Sequence, residues 1–251
     1  MLKNQKKIWI TGASSGIGKA LALKFAEENW QVAISARRKE LLDELAQNEN
    51  ISSFPLDVTD NDSVEIAFSN ISNKFKNLDL CVFCSGAYDP ILEKEINKEQ
   101  IKKIMNINFF GVLNCIKTVE KYFKNKKDGH ISIVSSVAAY RGLPNSSGYG
   151  PSKAALTNLT ESLYFDFKKH NVRISLISPG FIKTPLTNKN TFNMPFIKSP
   201  EFAANKIYNG LTKGNAFEIH FPKELTILLK FLRILPYRVY LFLINKTVKR
   251  D

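Results

Sequence analysis

The chain has 251 residues, of which 44% are hydrophobic and 24% charged, and its formal net charge is +13. These values suit one α/β domain with a large buried core and exclude a small disulfide-stapled fold. The basic excess favours anionic partners, such as phosphorylated small molecules and acidic lipid headgroups. We expect no nucleic-acid partner, because no recognition helix, zinc finger or ribonucleoprotein motif accompanies the charge.

The three cysteines, Cys81, Cys84 and Cys115, form no disulfide framework, so a reducing compartment is expected. Cys81 and Cys84 stand in an apolar run typical of a strand, which favours buried thiols. No second pair completes a zinc site, and we expect no metal. The amino terminus leads directly into the first strand without a signal segment, which predicts a cytoplasmic protein.

Apolar strand-like runs alternate with helical patterns along most of the chain. The predicted strands are 7–10, 32–36, 53–56, 80–83, 130–134, 173–177 and 217–220, and the long periodic segments include 63–75, 99–123 and 152–169. This order predicts a doubly wound, Rossmann-like parallel sheet with helices on both faces, whose ligands bind at the carboxyl ends of the strands. Residues 1–221 are expected to form one domain that binds both cofactor and substrate.

A glycine-rich segment, TGASSGIG at residues 11–18, follows the first predicted strand and precedes a helix. Its first glycine allows a sharp turn, the second leaves room for a pyrophosphate beside the backbone, and the third lets helix and strand pack closely. The helix then offers free N–H groups to phosphates. We interpret the segment as a dinucleotide-phosphate turn, with a purely structural turn as the alternative. Its predicted cofactor-binding residues are Gly12, Ser14, Ser15, Gly16, Ile17 and Gly18.

The residues after the second predicted strand bear on the choice of dinucleotide. A carboxylate there would bind the ribose 2′-hydroxyl of NAD and would repel the 2′-phosphate of NADP. The chain instead has Ala36 followed by Arg37 and Arg38, whose guanidinium groups suit a phosphate. The sequence therefore predicts NADP. The alternative, two solvated arginines at a helix start, would oppose the helix dipole.

Tyr149 and Lys153 lie four residues apart on a predicted helix and therefore on one face. A free phenol has a pKa of about 10, and a neighbouring ammonium group together with the positive ring of an oxidised nicotinamide favours the phenolate. We therefore expect a lowered pKa for Tyr149 and acid–base chemistry at this position. The alternative is an ordinary surface tyrosine–lysine pair. Ser136 follows the strand at 130–134, at the ligand edge of the sheet, whereas Ser135 should point the opposite way.

The chain resembles the short-chain dehydrogenase/reductase family from residue 7 to about residue 220. The resemblance rests on motifs in the family's order, namely the glycine turn at 11–18, Asp57-Val58, Gly86, Asn108, Ser136, Tyr149-x-x-x-Lys153 and Pro179-Gly180. It implies that Tyr149 gives a proton to a carbonyl oxygen as hydride arrives at carbon. It also implies that Ser136 holds this oxygen and that Lys153 binds the nicotinamide ribose.

Further roles follow from the same resemblance. Asn108 would hold a water in a proton relay to the lysine, and the nearby Asn106 is the residue that could be confused with it. Asp57 would contact the adenine amino group, while residues 57–60 also fit a helix cap. Cys84 stands where the family usually has an asparagine, which predicts altered support of the sheet without loss of activity. Other implied cofactor contacts are Val58, Gly86, Pro179, Gly180, Ile182 and Thr184.

Two regions depart from the alternation. Residues 179–200, rich in Pro, Asn, Thr and Phe, predict a mobile flap over the ligand edge. Residues 222–251 predict an apolar and basic helical extension, broken at Pro236 into two short helices. Its Lys230, Arg233 and Arg238 argue against a membrane-spanning helix. The extension suits peripheral contact with an anionic membrane, and a dimerisation arm or a lid over an apolar substrate are the alternatives.

The sequence thus predicts an NADP-dependent oxidoreductase that reduces a ketone or oxidises the corresponding secondary alcohol, of apolar or lipid-like character. A non-catalytic NADP-binding sensor or scaffold on the same fold is the alternative, although intact Ser136, Tyr149 and Lys153 speak against it. A homo-oligomer, either dimer or tetramer, is expected. The predicted location is cytoplasmic, extending to the inner face of a membrane if the extension docks there.

Overall fold

Seven parallel strands form one sheet in a computed structural model that describes residues 5–90, 96–190 and 192–247. Their spatial order is β3-β2-β1-β4-β5-β6-β7. This arrangement confirms the predicted doubly wound sheet. The strands are β1 Lys7–Thr11, β2 Gln31–Ser35, β3 Ile51–Ser53, β4 Leu80–Phe83, β5 His130–Val134, β6 Arg173–Pro179 and β7 Glu218–Phe221.

Helices connect the strands and cover both faces of the sheet. The last two form the predicted carboxyl-terminal extension and are separated at Pro236. The helices are α1 Gly16–Glu27, α2 Lys39–Leu45, α3 Asn61–Phe75, α4 Lys98–Met105, α5 Gly111–Lys126, α6 Tyr149–Lys168, α7 Pro200–Thr212, α8 Lys223–Ile234 and α9 Tyr237–Thr247.

Alternate residues of the central strands enter two separate cores, because successive side chains of a strand point to opposite faces. Ile8 and Ile10 of β1 pack with buried residues of α1 and α7, including Phe25 and Ile207. Trp9, between them, packs in the second core, which also contains buried residues of α3, α5 and α6. Burial on both faces explains why the strands read as nearly continuous apolar runs.

The third strand, β3, lies earlier than the predicted segment 53–56. Phe54 and Leu56 still donate backbone N–H groups to the carbonyl oxygens of Ile34 and Ala36, at 2.9 Å and 3.1 Å. Pro55, between them, has no N–H group to donate. Because Phe54 and Leu56 donate to β2 and β3 is the edge strand, the Pro55 nitrogen faces the open edge of the sheet. Part of the predicted segment 53–56 therefore keeps its pairing with β2 beyond the regular strand.

The segment predicted as one helix at 99–123 extends from 98 to 126 and is interrupted by a π-helical turn. This turn, Asn106–Phe110, separates α4 from α5. It coincides with Asn108, a fully buried side chain bonded to the backbone of Ala87. Such turns occur frequently at functional sites, and a hydrophobic period of 3.6 does not reveal them.

The order of the strands reverses between β1 and β4. The chain runs from β1 outward through β2 and β3, and then returns to place β4 on the other side of β1. Loops leaving the carboxyl ends of β1 and β4 therefore diverge and leave a crevice between them. This crevice is the position where a doubly wound sheet binds a ligand.

Candidate active site

A cavity of about 460 Å³ occupies the crevice at the carboxyl ends of the strands. All seventeen predicted cofactor-binding residues line it, together with Ser136. Asn108 lies behind this lining, next to Gly86 and Ala87. The structure therefore gathers residues from widely separated segments into one site. The lining residues in question are Gly12, Ser14, Ser15, Gly16, Ile17, Gly18, Arg37, Arg38, Asp57, Val58, Gly86, Tyr149, Lys153, Pro179, Gly180, Ile182 and Thr184.

The glycine turn fits a phosphate cradle because two of its glycines leave no space for a side chain. Gly12 has φ +70°, and a β-carbon there would lie 2.8 Å from the backbone of Cys84 and Ser85. A β-carbon on Gly18 would collide with the carbonyl oxygen of Gly12. The start of α1 is thereby held against the end of β1, where its free N–H groups can face an anion.

Two arginines stand at the end of the cavity beyond the glycine turn. Arg38 donates from Nη2 to the hydroxyl oxygens of Ser14 and Ser15, at 2.8 Å and 3.1 Å. Arg37 is 68% exposed and lies 4.0 Å from the carboxylate of Asp57, so its guanidinium group is available to a further anion. The helix cap anticipated within 57–60 belongs to Asp60, which accepts from two N–H groups at the start of α3.

Tyr149 begins α6 and points with Lys153 toward the same end of β5. The Lys153 ammonium donates to the carbonyl oxygen of Val134 at 2.9 Å and lies 5.8 Å from the centre of the Tyr149 ring. Ser136 interacts with the Tyr149 phenol. Ser135 turns away and donates to the carbonyl oxygen of Lys153, as the alternation of a strand predicts.

The electrostatics of this pair differ from the expectation. Burial raises the pKa of Tyr149 to about 12, and the Ser136 hydroxyl only partly opposes this rise. Burial also lowers the pKa of Lys153 to about 8. The lysine by itself therefore does not lower the tyrosine pKa, because removal of the phenol from water dominates. The fall expected when oxidised nicotinamide is also present stays a prediction.

Asn108 ties the π-helical turn to the loop after β4 and to α6. Its side-chain oxygen accepts from the N–H of Ala87 at 2.6 Å, and its amide donates to the Ala87 carbonyl and the Ser152 hydroxyl, each at 2.9 Å. Asn106, by contrast, is exposed. Of the two asparagines, Asn108 is therefore the one bonded to α6, at Ser152, the residue before Lys153.

The segment at 179–200 lies over the cavity, where the flap was predicted; its motion stays a prediction. Among the described residues of both segments, two contacts join it to the loop after β4. The Tyr88 hydroxyl donates to the Asn190 side chain at 2.7 Å, and Lys189 lies 3.3 Å from Asp89. Thr191 lies outside the described residues.

Tyr88 is a site residue that the sequence analysis missed. Its ring packs edge-on against Tyr149, with 5.1 Å between the ring centres. Lys189 also lines the cavity and was missed. Tyr88 comes two residues after Gly86, just beyond a strand end, and that position alone was a usable signal.

Cys81 and Cys115 are free, buried thiols, and Cys84 is free, half-buried and part of the cavity lining. Burial raises the pKa of Cys84 to about 11, so this thiol is neutral at physiological pH. In the described part of the chain, no group of three or more His, Cys, Asp or Glu side chains is placed to hold a metal ion.

The fold and this cavity define an oxidoreductase of the nicotinamide-dinucleotide type, and comparison with known proteins identifies the family. The family model described as short chain dehydrogenase matches residues 6–194. The chain therefore belongs to the short-chain dehydrogenase/reductase family of NAD(P)-dependent enzymes.

Relatives agree with this assignment along most of the chain. It is 34% identical over 232 residues to an uncharacterized oxidoreductase of Myxococcus xanthus, covering 90% of this chain and 91% of that one. It is 33% identical over 185 residues to a 3-oxoacyl-[acyl-carrier-protein] reductase of Thermotoga maritima, covering 72% and 75%. Among solved structures, ElxO with NADP bound is 29% identical, with a TM-score of 0.78 over 86% of this chain and 97% of that one.

Proposed function

We propose that the protein is an NADP-dependent oxidoreductase that reduces an apolar or lipid-like ketone, or oxidises the corresponding secondary alcohol. One observation carries the proposal. Ser136, Tyr149 and Lys153 converge on a cavity whose far end holds a glycine turn and two arginines. The cavity therefore offers an acid–base group at one end and phosphate-binding groups at the other.

The chemistry follows from the positions of three side chains. A dinucleotide held by the glycine turn and the two arginines would supply or accept the hydride. Tyr149 donates its phenolic proton to the substrate oxygen in the reductive direction, because a neutral phenol is the form that burial favours. Ser136 holds the same oxygen with its hydroxyl and orients it toward the phenol. In the opposite direction Tyr149 accepts the proton.

Lys153 has two proposed tasks. Its ammonium group hydrogen-bonds the ribose next to the nicotinamide, and it stabilises the Tyr149 phenolate after proton transfer. Asn108 holds a water that returns the proton from solvent through Lys153. The buried position of Asn108, bonded to Ala87 and Ser152, supports a fixed relay geometry.

The choice of NADP rests on Arg37 and Arg38. Guanidinium groups bind a 2′-phosphate with charge-assisted hydrogen bonds, and Ala36 places no opposing carboxylate there. The hydroxyls of Ser14 and Ser15, already bonded to Arg38, add polar partners at the same end of the cavity. Asp57 is the proposed contact for the adenine amino group. The NADP in the ElxO structure supports this choice.

The apolar substrate is suggested by the flap. Phe192, Phe196 and Ile197 are each at least 40% exposed on it. Large apolar side chains exposed beside a polar site suit contact with an apolar ligand. The similarity to a reductase of 3-oxoacyl groups on acyl carrier protein supports an acyl-type ketone.

Four broader expectations remain proposals alongside this one. They are a homo-oligomer, a cytoplasmic location, peripheral contact with an anionic membrane, and a division of the chain into 1–221 and an extension 222–251. Among the described residues, no helix combines the length and apolarity needed to cross a bilayer.

A series of methyl ketones and 3-oxoacyl thioesters of increasing chain length tests the proposed reaction through NADPH oxidation. We expect kcat/KM to rise with chain length, because each buried methylene contributes about 0.8 kcal/mol. Tyr149→Phe should lower kcat by about 10²- to 10⁴-fold and leave NADPH binding nearly unchanged, since only the transferable proton is lost. Near-normal turnover by this variant would contradict the assignment of the acid.

A further inference from the structure

The carboxyl-terminal helices carry an unusually apolar surface. Ile227 is 60% exposed and Ile234 is 77% exposed, and seven other large hydrophobic side chains between residues 227 and 243 are exposed as well. Contiguous apolar surface of this kind marks an interaction site rather than ordinary exposed protein. The other seven are Leu228, Phe231, Tyr237, Val239, Leu241, Phe242 and Leu243.

Helix α8 has two apolar stripes and buries only one of them. Leu225 and Leu229 pack inward against Val137 and Tyr140. Ile227, Phe231 and Ile234 follow one another at the four- and three-residue spacing of a second face, which no other described part of the chain covers. The uncovered stripe continues into α9, where Tyr240 is the buried residue.

Charge decides which partner fits this surface. Within the described part of α8 and α9 the ionised residues are Glu224 and five basic side chains, and Lys230 is already bonded to Glu218. A second copy placed on the same surface would bring its own positive charges against these. An anionic lipid surface would instead attract them. The five basic side chains are Lys223, Lys230, Arg233, Arg238 and Lys246.

We propose that α8 and α9 form a docking surface for an anionic phospholipid bilayer. The exposed apolar side chains enter the boundary between headgroups and acyl chains, and Arg233, Arg238 and Lys246 contact lipid phosphates. Interfacial amphipathic helices bind membranes in this way, and their affinity grows with buried apolar area and basic charge.

The docking surface is fixed to the enzyme rather than loosely attached. The Arg141 guanidinium donates from Nη1 to the carbonyl oxygens of Leu232 and Leu235, at 2.9 Å and 2.7 Å. It also stacks on the rings of Tyr237 and Tyr240. Arg141 therefore holds the junction between α8 and α9, and docking would set the orientation of the whole molecule.

An apolar connection leads from this surface to the flap. Phe181 packs on the cluster that contains Leu225, and Phe192 contacts Phe181 edge-on with 5.8 Å between ring centres. The opening of the cavity beside the flap would then face the bilayer, and the enzyme would take its ketone substrate from the lipid phase. This last step rests on the proposed function, whereas the docking itself does not.

Flotation of the full chain with phosphatidylglycerol vesicles and with phosphatidylcholine vesicles tests the docking. We expect binding to the anionic vesicles at low salt, and weak binding to the neutral ones. Arg233→Gln with Arg238→Gln and Lys246→Gln should weaken binding by about 100-fold, because each basic side chain near the surface contributes about five-fold. Phe231→Ser with Ile234→Ser should weaken it by about ten-fold or more for each side chain.

Matched controls distinguish binding through this surface from nonspecific adsorption to vesicles. Lys102→Gln with Lys117→Gln and Lys169→Gln removes three exposed charges elsewhere, and Ile66→Ser with Phe165→Ser removes two exposed apolar side chains. Both controls should float like the parent. NADPH binding and turnover of a water-soluble ketone, measured on every variant, report the fold and the proposed reaction independently of flotation.

Absence of flotation at low salt would overturn the inference. Equal binding to both kinds of vesicle, or equal loss in the control variants, would overturn it as well. If the protein stays in solution and Phe231→Ser with Ile234→Ser lowers its mass in light scattering, the surface is a contact between copies instead. Flotation of the wild type together with no NADPH-dependent turnover of any ketone tested would count against the proposed function alone.

Discussion

Lys153 and Tyr149 show how burial acts in opposite directions on an acid and a base. Removal from water favours the neutral form of each, so it raises the pKa of the phenol to about 12 and lowers that of the ammonium to about 8. The ligand-free protein therefore holds a lysine that loses its proton close to physiological pH. A negative partner in the site would restore the charged form.

Burial of the Lys153 ammonium group lowers the free energy of unfolding of the protein without cofactor. A fall in its pKa from 10.5 to about 8 corresponds to a penalty of about 3 kcal/mol for the charged form. We predict that Lys153→Met raises the melting temperature of the ligand-free protein at pH 7 and abolishes turnover. Scanning calorimetry without cofactor measures the first effect. A lower melting temperature for the variant would mean that the bond to Val134 outweighs the desolvation cost.

The pH dependence gives a second check with a defined sign. Below about pH 8 both folded and unfolded chains hold the Lys153 proton, so the wild type bears the full penalty. Between about pH 8 and 10.5 the unfolded chain binds more protons than the folded one, and stability rises with pH. The difference in melting temperature between wild type and Lys153→Met should therefore narrow across this interval. A constant difference would contradict the lowered lysine pKa.

At the scale of elements, the junction between β2 and α2 is the basis of the proposed preference for NADP. It places Ala36, Arg37 and Arg38 on the cavity in consecutive positions, with Arg37 still exposed. The contact between Arg37 and Asp57 is long, at 4.0 Å, and contributes little in water. Most of the binding capacity of that guanidinium group is therefore left for a phosphate.

We predict that Ala36→Asp with Arg37→Ala weakens NADPH binding by about 10- to 100-fold and narrows its advantage over NADH, because a charge-assisted bond is lost and a repulsive carboxylate added. Fluorescence titration with both dinucleotides measures this change. Lys39→Ala is the matched control, since it removes a neighbouring positive charge that does not line the cavity. Tighter binding of NADH than NADPH by the wild type would refute the assignment.

Elements with a regular pattern could be predicted from the sequence, and those set by distant contacts could not. The alternation of apolar runs fixed the doubly wound sheet, and the spacing of Tyr149 and Lys153 put both on α6. The π-helical turn coincides with a bond between Asn108 and Ala87, residues 21 positions apart, and a local hydrophobic period carries no signal of such a contact. The pKa of Tyr149 likewise depends on surroundings that only the folded chain assembles.

At the scale of the whole molecule, positive charge is concentrated in the two carboxyl-terminal helices. The net charge is +13, and the described part of α8 and α9 holds five basic residues and one acidic residue. Self-association through that region would bring like charges together, at a cost in free energy. A homo-oligomer should therefore use another face of the molecule and leave the two helices free.

We predict a solution mass of two or four times 28.4 kDa, consistent with a dimer or a tetramer. Light scattering coupled to size exclusion measures it. Phe231→Ser with Ile234→Ser should leave this mass unchanged, because the altered side chains belong to the proposed docking surface. A monomer at every concentration tested would refute the expected oligomer.

The Arg141 contact has a thermodynamic consequence. Arg141 and its neighbours Tyr140 and Gly142 hold the extension, and the same loop continues into α6, which begins with Tyr149. If a bilayer alters the position of this loop, it changes the affinity of the site for dinucleotide. Linkage then requires dinucleotide to change the affinity for the bilayer by the same factor. Occupancy of the site by dinucleotide would thereby influence how much of the enzyme binds to the bilayer.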